Sequence, residues 1–178
     1  MSFAVLVIDV QSGLFDPEPR PFEADVVVKN INRVTAAARL VGKPVIFIQH
    51  EKAGTVLESG TDGWKLQANL EIGDTDHYVR KTTPDSFQGT DLQQLLADYG
   101  VESLMVCGYA SEFCVDTTVR RAAALGFSVH IVKDAHTTHD KEHMEAARIR
   151  EHHNKTLCNI RSFGPEIRTV SSDGISFS

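Results

Sequence analysis

Three residues of this 178-residue chain carry side chains that together could break a covalent bond. Asp9 follows the apolar run FAVLVI, Lys81 ends HYVRK, and Cys114 lies in VCGYASEFCVD, just past an apolar segment and a glycine. A cysteine nucleophile needs a base or a cation, and donors for the oxyanion it creates. A carboxylate at the end of a buried strand needs a cationic or hydrogen-bonding partner, because stranding it unpaired costs several kcal/mol. Cys114 is expected in the first turn of a helix, where the dipole favours a thiolate and should lower its pKa. Backbone N–H groups at such a terminus also point toward an oxyanion. In the resulting chemistry Lys81 stabilises the thiolate and Asp9 accepts and returns its proton. Singly, each residue has a plainer reading: Asp9 as a turn cap, Lys81 as a surface lysine, and Cys114 as a small apolar filler like Cys107 and Cys158.

What makes convergence plausible is the order of elements that must carry these residues. Continuous apolar runs at Phe3–Ile8, Pro44–Gln49 and Ser103–Cys107 read as strands buried on both faces, with shorter strands at His77–Arg80, Ser128–Val132 and Glu166–Val170. Val27, Ile31, Val34, Ala38 and Val41 recur at helical spacing, and Gly42 then Pro44 end that helix. Further helices are expected after Thr90 up to Gly100, from Ser111 or Glu112 to Leu125, and over Asp140–Asn154. Strand and helix in alternation imply an α/β fold, a parallel sheet with helices on both faces, and such sheets bind ligands at the carboxyl ends of their strands. Asp9, Lys81 and Cys114 all fall there. If Val79 and Lys81 share a face of their strand, Arg80 points the other way. The polar stretch Glu51–Asp76, with the lone Trp64, reads as a long functional loop.

Three longer segments resemble the isochorismatase-like cysteine hydrolases, a family that includes nicotinamidases and N-carbamoylsarcosine amidases. They are LVIDVQSGLF (6–15), YVRKTTPDSFQGTDLQQLL (78–96) and VCGYASEFCVDTTVRRAAALGF (106–127). The resemblance covers about Ala4 to Asn154. It implies a three-layer αβα sandwich with a six-stranded, mostly parallel, Rossmann-like sheet, and the triad Asp9, Lys81 and Cys114. It also implies a cis peptide at Tyr109–Ala110, turning the Ala110 N–H inward to form the oxyanion hole with that of Cys114. The implied reaction is hydrolysis of a C–N bond in a small amide or ureido compound through a thioester, with no cofactor or metal. Gln11, Phe15, His50, Trp64, Phe87, Tyr109 and Phe113 are the expected pocket residues, and a homodimer or homotetramer is the expected assembly.

Departures and alternatives bound this expectation. The Asp-x-His with which related nicotinamidases hold a metal is missing from QHEKAG (49–54), so nicotinamidase is a minority reading. His139 and His143, four apart, could share a helix face as a metal pair, although neighbours such as His152 and His153 cannot both face one way. Vinyl-ether hydrolysis, as on isochorismate, stays open, as does a redox-sensing scaffold using Cys114. A dinucleotide-binding module lacks support, since VQSGLF after Asp9 carries no G-x-G-x-x-G. A net charge of −6 without a basic patch argues against a nucleic-acid or anionic-membrane partner. Three cysteines without metal spacing argue against a disulfide scaffold and for a reducing, cytoplasmic setting. The apolar run at the start is too short for a signal or a span, and the whole length, 1–178, reads as one domain.

Overall fold

In the computed structural model, which describes residues 2–175 and 177, six strands form one parallel sheet. The strands are β1 (Phe3–Ile8), β2 (Val45–His50), β3 (His77–Lys81), β4 (Ser103–Tyr109), β5 (Ser128–Thr137) and β6 (Ile167–Val170). They lie in the order β3-β2-β1-β4-β5-β6. The chain builds outward from β1 to β3 on one side, then returns to build β4 to β6 on the other. The order therefore reverses between β1 and β4, which are paired from Phe3↔Ser103 to Ile8↔Gly108. A crevice opens at the carboxyl ends of such a pair.

Each residue of β1 is buried, because helices cover both faces of the sheet. Ala4, Leu6 and Ile8 face one way, against Leu92 and Leu96 of α3 (Leu92–Asp98), Val119 and Ala122 of α4 (Asp116–Ala124), and Leu157 of α5 (Ala146–Cys158). Phe3, Val5 and Val7 face the other way, against Val27, Ile31 and Val34 of α2 (Ala24–Leu40) and Phe15 of the short α1 (Ser12–Phe15). Burying each such side chain is worth roughly 1.5–3 kcal/mol, so the sheet centre is held from both sides and its strand ends are fixed in space. Gly108 is the closest backbone approach: a Cβ there would sit 2.1 Å from the Ile8 carbonyl oxygen. Glycine is thus required at the point where β4 passes the residue before Asp9.

Two expectations need correcting. The helix expected over Asp140–Asn154 runs instead over Ala146–Cys158. Residues 140–145 form a turn in which Lys141 and Met144 bond reciprocally, and the Asp140 carboxylate caps the Ala146 N–H at 2.7 Å. The helix expected to start at Ser111 opens with a wider π-helical turn, Ser111–Val115, and becomes α-helical only at Asp116. β5 also runs five residues beyond Val132, bringing His136 and Thr137 alongside the end of β4.

Candidate active site

The sheet register aligns the site. Ile8 lies level with Ile48 and Gly108, and His50 is level with Lys81. Asp9 leaves β1 in the left-handed region, φ 51°, a conformation that aspartate tolerates better than most residues. Its carboxylate turns into the crevice and meets the Lys81 ammonium at 2.7 Å, with both side chains essentially inaccessible. Lys81 does lie on the face of Val79 with Arg80 exposed, and its surface reading is corrected: it is 2% exposed, because β2 and the segment after β3 enclose the stem. Cys114 Sγ lies 3.3 Å from Lys81 Nζ. The three candidate residues, 105 positions apart in sequence, therefore converge on one ammonium.

Two further acceptors share that ammonium, His50 Nδ1 and the Thr83 carbonyl, each at 3.1 Å. Among the described residues, Asp9 Oδ1 is buried without a hydrogen-bond partner. An unpartnered carboxylate oxygen is costly in a buried site, and here it leaves a lone pair available to a proton in transit. An oxygen of Asp9, a ring nitrogen of His50 and Cys114 Sγ lie within 4.8 Å of one another, a set that could hold a metal ion, but the Lys81 ammonium already stands within 3.3 Å of an atom of each.

The expectation of a lowered thiol pKa is overturned. Burial pushes the Cys114 thiol up to about 12, the Asp9 carboxylate adds to this, and Lys81 works against both. Desolvation outweighs the helix terminus, so the resting sulfur carries its proton at neutral pH. Burial, then Lys81, lowers the His50 pKa, which leaves that ring neutral.

The turn that carries Cys114 is braced from behind. The peptide Tyr109–Ala110 is cis, and the Ala110 carbonyl accepts the N–H groups of Phe113 and Val115. Ser111 Oγ meets His136 Nδ1 at 2.8 Å, and His136 Nε2 meets Asn154 Oδ1 of α5 at 2.9 Å. Glu112 accepts from Thr138 Oγ1 at 2.8 Å and pairs with Lys141 at 3.1 Å.

The expected pocket residues separate into two groups. His50 and Tyr109 are partly exposed at the ends of β2 and β4, Phe113 is 54% exposed beside Cys114 with Lys141 above its ring, and Trp64 is partly exposed with the Arg80 guanidinium over its ring. Phe15 and Phe87 are core residues, packed against Tyr109 and Phe127 respectively. Gln11 is not free to meet a ligand, because its amide accepts the His50 N–H and donates to the carbonyls of His50 and Trp64. It ties the loop 51–76 to the strand ends, as Gln49 also does through Trp64. The metal pair drawn from His139 and His143 has no helix to stand on, and His139 instead bonds the Tyr109 hydroxyl at 2.7 Å. Thr83 and His136 had no sequence signal: the first acts through its backbone, the second through an extension of β5. Among the described residues no helix is long and apolar enough to cross a membrane.

A family model for the isochorismatase domain matches residues 3–159. A streptothricin hydrolase from Streptomyces noursei is 41% identical over 138 residues, 77% of this chain and 50% of that protein. A second from the same organism is 38% identical and covered to 55%, so the chain spans about half the length of these curated relatives. The crystal structure of an isochorismatase family protein superposes with a TM-score of 0.86 at 34% identity, covering 95% of this chain and 98% of that one. N-carbamoylsarcosine amidase from Thermoplasma acidophilum shares the fold, with a TM-score of 0.81 at 19% identity. A domain match over most of the chain, with this topology, means that the chain belongs to the isochorismatase family.

Proposed function

We propose that this chain is a cysteine hydrolase that cleaves a C–N bond of a small amide or ureido compound through a thioester. One observation carries the reading: Asp9 and Cys114 meet across a single buried ammonium, and among the described residues the carboxylate keeps one oxygen unpartnered. Because the resting sulfur is protonated, attack must be coupled to proton removal. Asp9 takes the thiol proton as Sγ bonds the carbonyl carbon. The N–H groups of Ala110 and Cys114 hold the oxyanion. Collapse breaks the C–N bond, and the proton on Asp9 leaves with the nitrogen. Water then attacks the thioester, Asp9 takes its proton, the C–S bond breaks, and the proton returns to sulfur. Lys81 holds the negative charge throughout, on carboxylate or on sulfur. Tyr109, Phe113 and Trp64 line the mouth. We also propose a homo-oligomer whose second copy covers the exposed Phe113, which light scattering would test.

Streptothricin heads the substrate panel because two of the relatives described above are streptothricin hydrolases. Nicotinamide, small aliphatic amides and ureido acids follow. Mass spectrometry of the product and ammonia release are measured for wild type and Cys114→Ala. Turnover lost in the variant supports the proposal. Turnover that survives it moves the chemistry to Asp9 and to a bond that needs no thioester, such as a vinyl ether.

A further inference from the structure

Lys81 Nζ has more acceptors around it than protons to give. An ammonium has three N–H bonds. Around it stand Asp9 Oδ2 at 2.7 Å, His50 Nδ1 at 3.1 Å, the Thr83 carbonyl at 3.1 Å and Cys114 Sγ at 3.3 Å. The sulfur is the most distant, and a protonated thiol is a weak acceptor. In the resting site the three protons therefore go to Asp9, His50 and Thr83. Lys81 can donate to Nδ1 only if that nitrogen keeps its lone pair; His50 is then neutral with its single proton on Nε2, and the Thr83 carbonyl, toward which a ring N–H could otherwise turn, is served by Lys81 instead.

That Nε2 makes no hydrogen bond among the described residues, and His50 is partly exposed. The residue is anchored at two points: Gln11 grips the His50 backbone at both its N–H (2.9 Å) and its carbonyl (3.0 Å), and Lys81 Nζ meets the ring at Nδ1. One of its nitrogens is within 4.8 Å of both the sulfur and an Asp9 oxygen. We infer that His50 is a fixed hydrogen-bond donor to the substrate, offering Nε2–H to an acceptor atom, a carbonyl or carboxylate oxygen or an aromatic nitrogen, beside the scissile carbon. The inference rests on the proposed amide chemistry and adds a selectivity to it. Substrates with an acceptor at that place are favoured, and those with an ammonium or another donor there are excluded, since Lys81 and the N–H both present positive charge. Burial and Lys81 hold the ring neutral. The other groups felt by the ring are Asp9 from β1, Lys52 from the following loop and the Thr83 carbonyl, and Asp9 and Thr83 act in the opposite sense.

Two replacements separate the two nitrogens. His50→Gln places an amide N–H near the position of Nε2, whereas His50→Asn keeps an acceptor near Nδ1 and removes the donor. On whichever panel compound the wild type hydrolyses, His50→Asn should lower kcat/KM about ten- to hundredfold, the worth of one lost neutral or charge-assisted bond. His50→Gln should stay within about threefold. The rate at which iodoacetamide alkylates Cys114 should be unchanged in both, which a general loosening of the site would not allow. Nitrogen NMR of the free protein needs no substrate: His50 should show an unprotonated Nδ1 and a protonated Nε2 from pH 6 to 8. A protonated Nδ1, or equal losses in the two variants, or no loss in His50→Asn, overturns the inference. If Cys114→Ala remains active, the amide reading fails instead, and the NMR result still decides the state of His50.

Discussion

Two buried polar networks flank the end of β4, and they are built on opposite rules. In the Ser111–His136–Asn154 network each ring nitrogen has one partner at 2.8–2.9 Å, and Asn154 Nδ2 finishes the chain on the Lys133 carbonyl at 3.0 Å. It is neutral and closed: burial lowers the His136 pKa to about 4. The Asp9–Lys81–Cys114 network is ionic and open. Among the described residues it has four acceptors around one ammonium and a carboxylate oxygen without a partner. A satisfied network specifies structure, while a network left unsatisfied holds free energy that a substrate can release. The two cysteines repeat the contrast. Cys107 on β4 is buried and its pKa is raised by desolvation alone, whereas Cys114 has a carboxylate and an ammonium within reach.

The sharpest break of this comparison is between those cysteines. Cys114→Ala should lower turnover by about 10⁴-fold or more, the scale of removing a nucleophile, while leaving the fold intact. Cys107→Ala should leave turnover within about threefold and cost about 1 kcal/mol of stability through the small cavity it opens. A steady-state assay beside a thermal melt reads both. Comparable activity loss in the two would remove the distinction between filler and nucleophile.

The next break lies inside the ionic network. Asn also tolerates the left-handed backbone at position 9, so Asp9→Asn isolates the charge. It should reduce turnover about 10²- to 10⁴-fold. It also strands a buried ammonium, and breaking such a pair costs roughly 3–5 kcal/mol. Adding Lys81→Met should recover most of that stability and none of the activity. Denaturant titration of the single and double variants tests this, and a double variant no more stable than the single would mean that Lys81 is already well served by its other acceptors.

How much of this was legible from the sequence follows from what each residue type can signal. β1, β2 and β4 are legible because a parallel strand buried on both faces reads as a near-continuous apolar run, as in FAVLVI and VIFI. α2 is legible through its 3.6-residue period. Asp9, Lys81 and Cys114 are legible because charged or nucleophilic groups at strand ends break an apolar pattern. The start of α5 is not: Asp140 is the better cap by residue type, but the turn that follows it delays the helix to Ala146, whose N–H the Asp140 carboxylate still reaches. The burial of Phe15, Phe87 and Gln11 depends on which loop folds over them. The thiol pKa depends on desolvation, which no local motif encodes, and the carbonyl of Thr83 is invisible to side-chain reasoning altogether.

The closed network supplies the remaining tests, beginning with its stability. His136→Ala leaves Asn154 Oδ1 unpaired and a cavity behind Ser111, and should cost about 2–4 kcal/mol, lowering the melting midpoint by roughly 5–10 °C. Its effect on turnover should stay near tenfold, because in the proposed mechanism Ser111 supports the turn that carries Cys114 without touching the reacting atoms.

The smallest effect is one of pH. His136 has a folded pKa of about 4, below its ordinary 6.5. Between those values the unfolded chain binds a proton that the folded chain refuses, so acid favours unfolding. The stabilisation is therefore complete above about pH 6.5 and is lost as pH falls through that window toward 4, by at most about 3 kcal/mol for a fully buried imidazole. His136→Gln cannot titrate, and it should flatten the dependence of the melting midpoint on pH over this range relative to wild type. A second buried imidazole, His130, is also lowered to about 4 by burial and is unaffected by the replacement. Part of the slope should accordingly persist in His136→Gln and vanish only when His130 is replaced as well. If the slope is the same in wild type and His136→Gln, the Ser111–His136–Asn154 network is open to water, and the two sides of β4 differ in charge but not in closure.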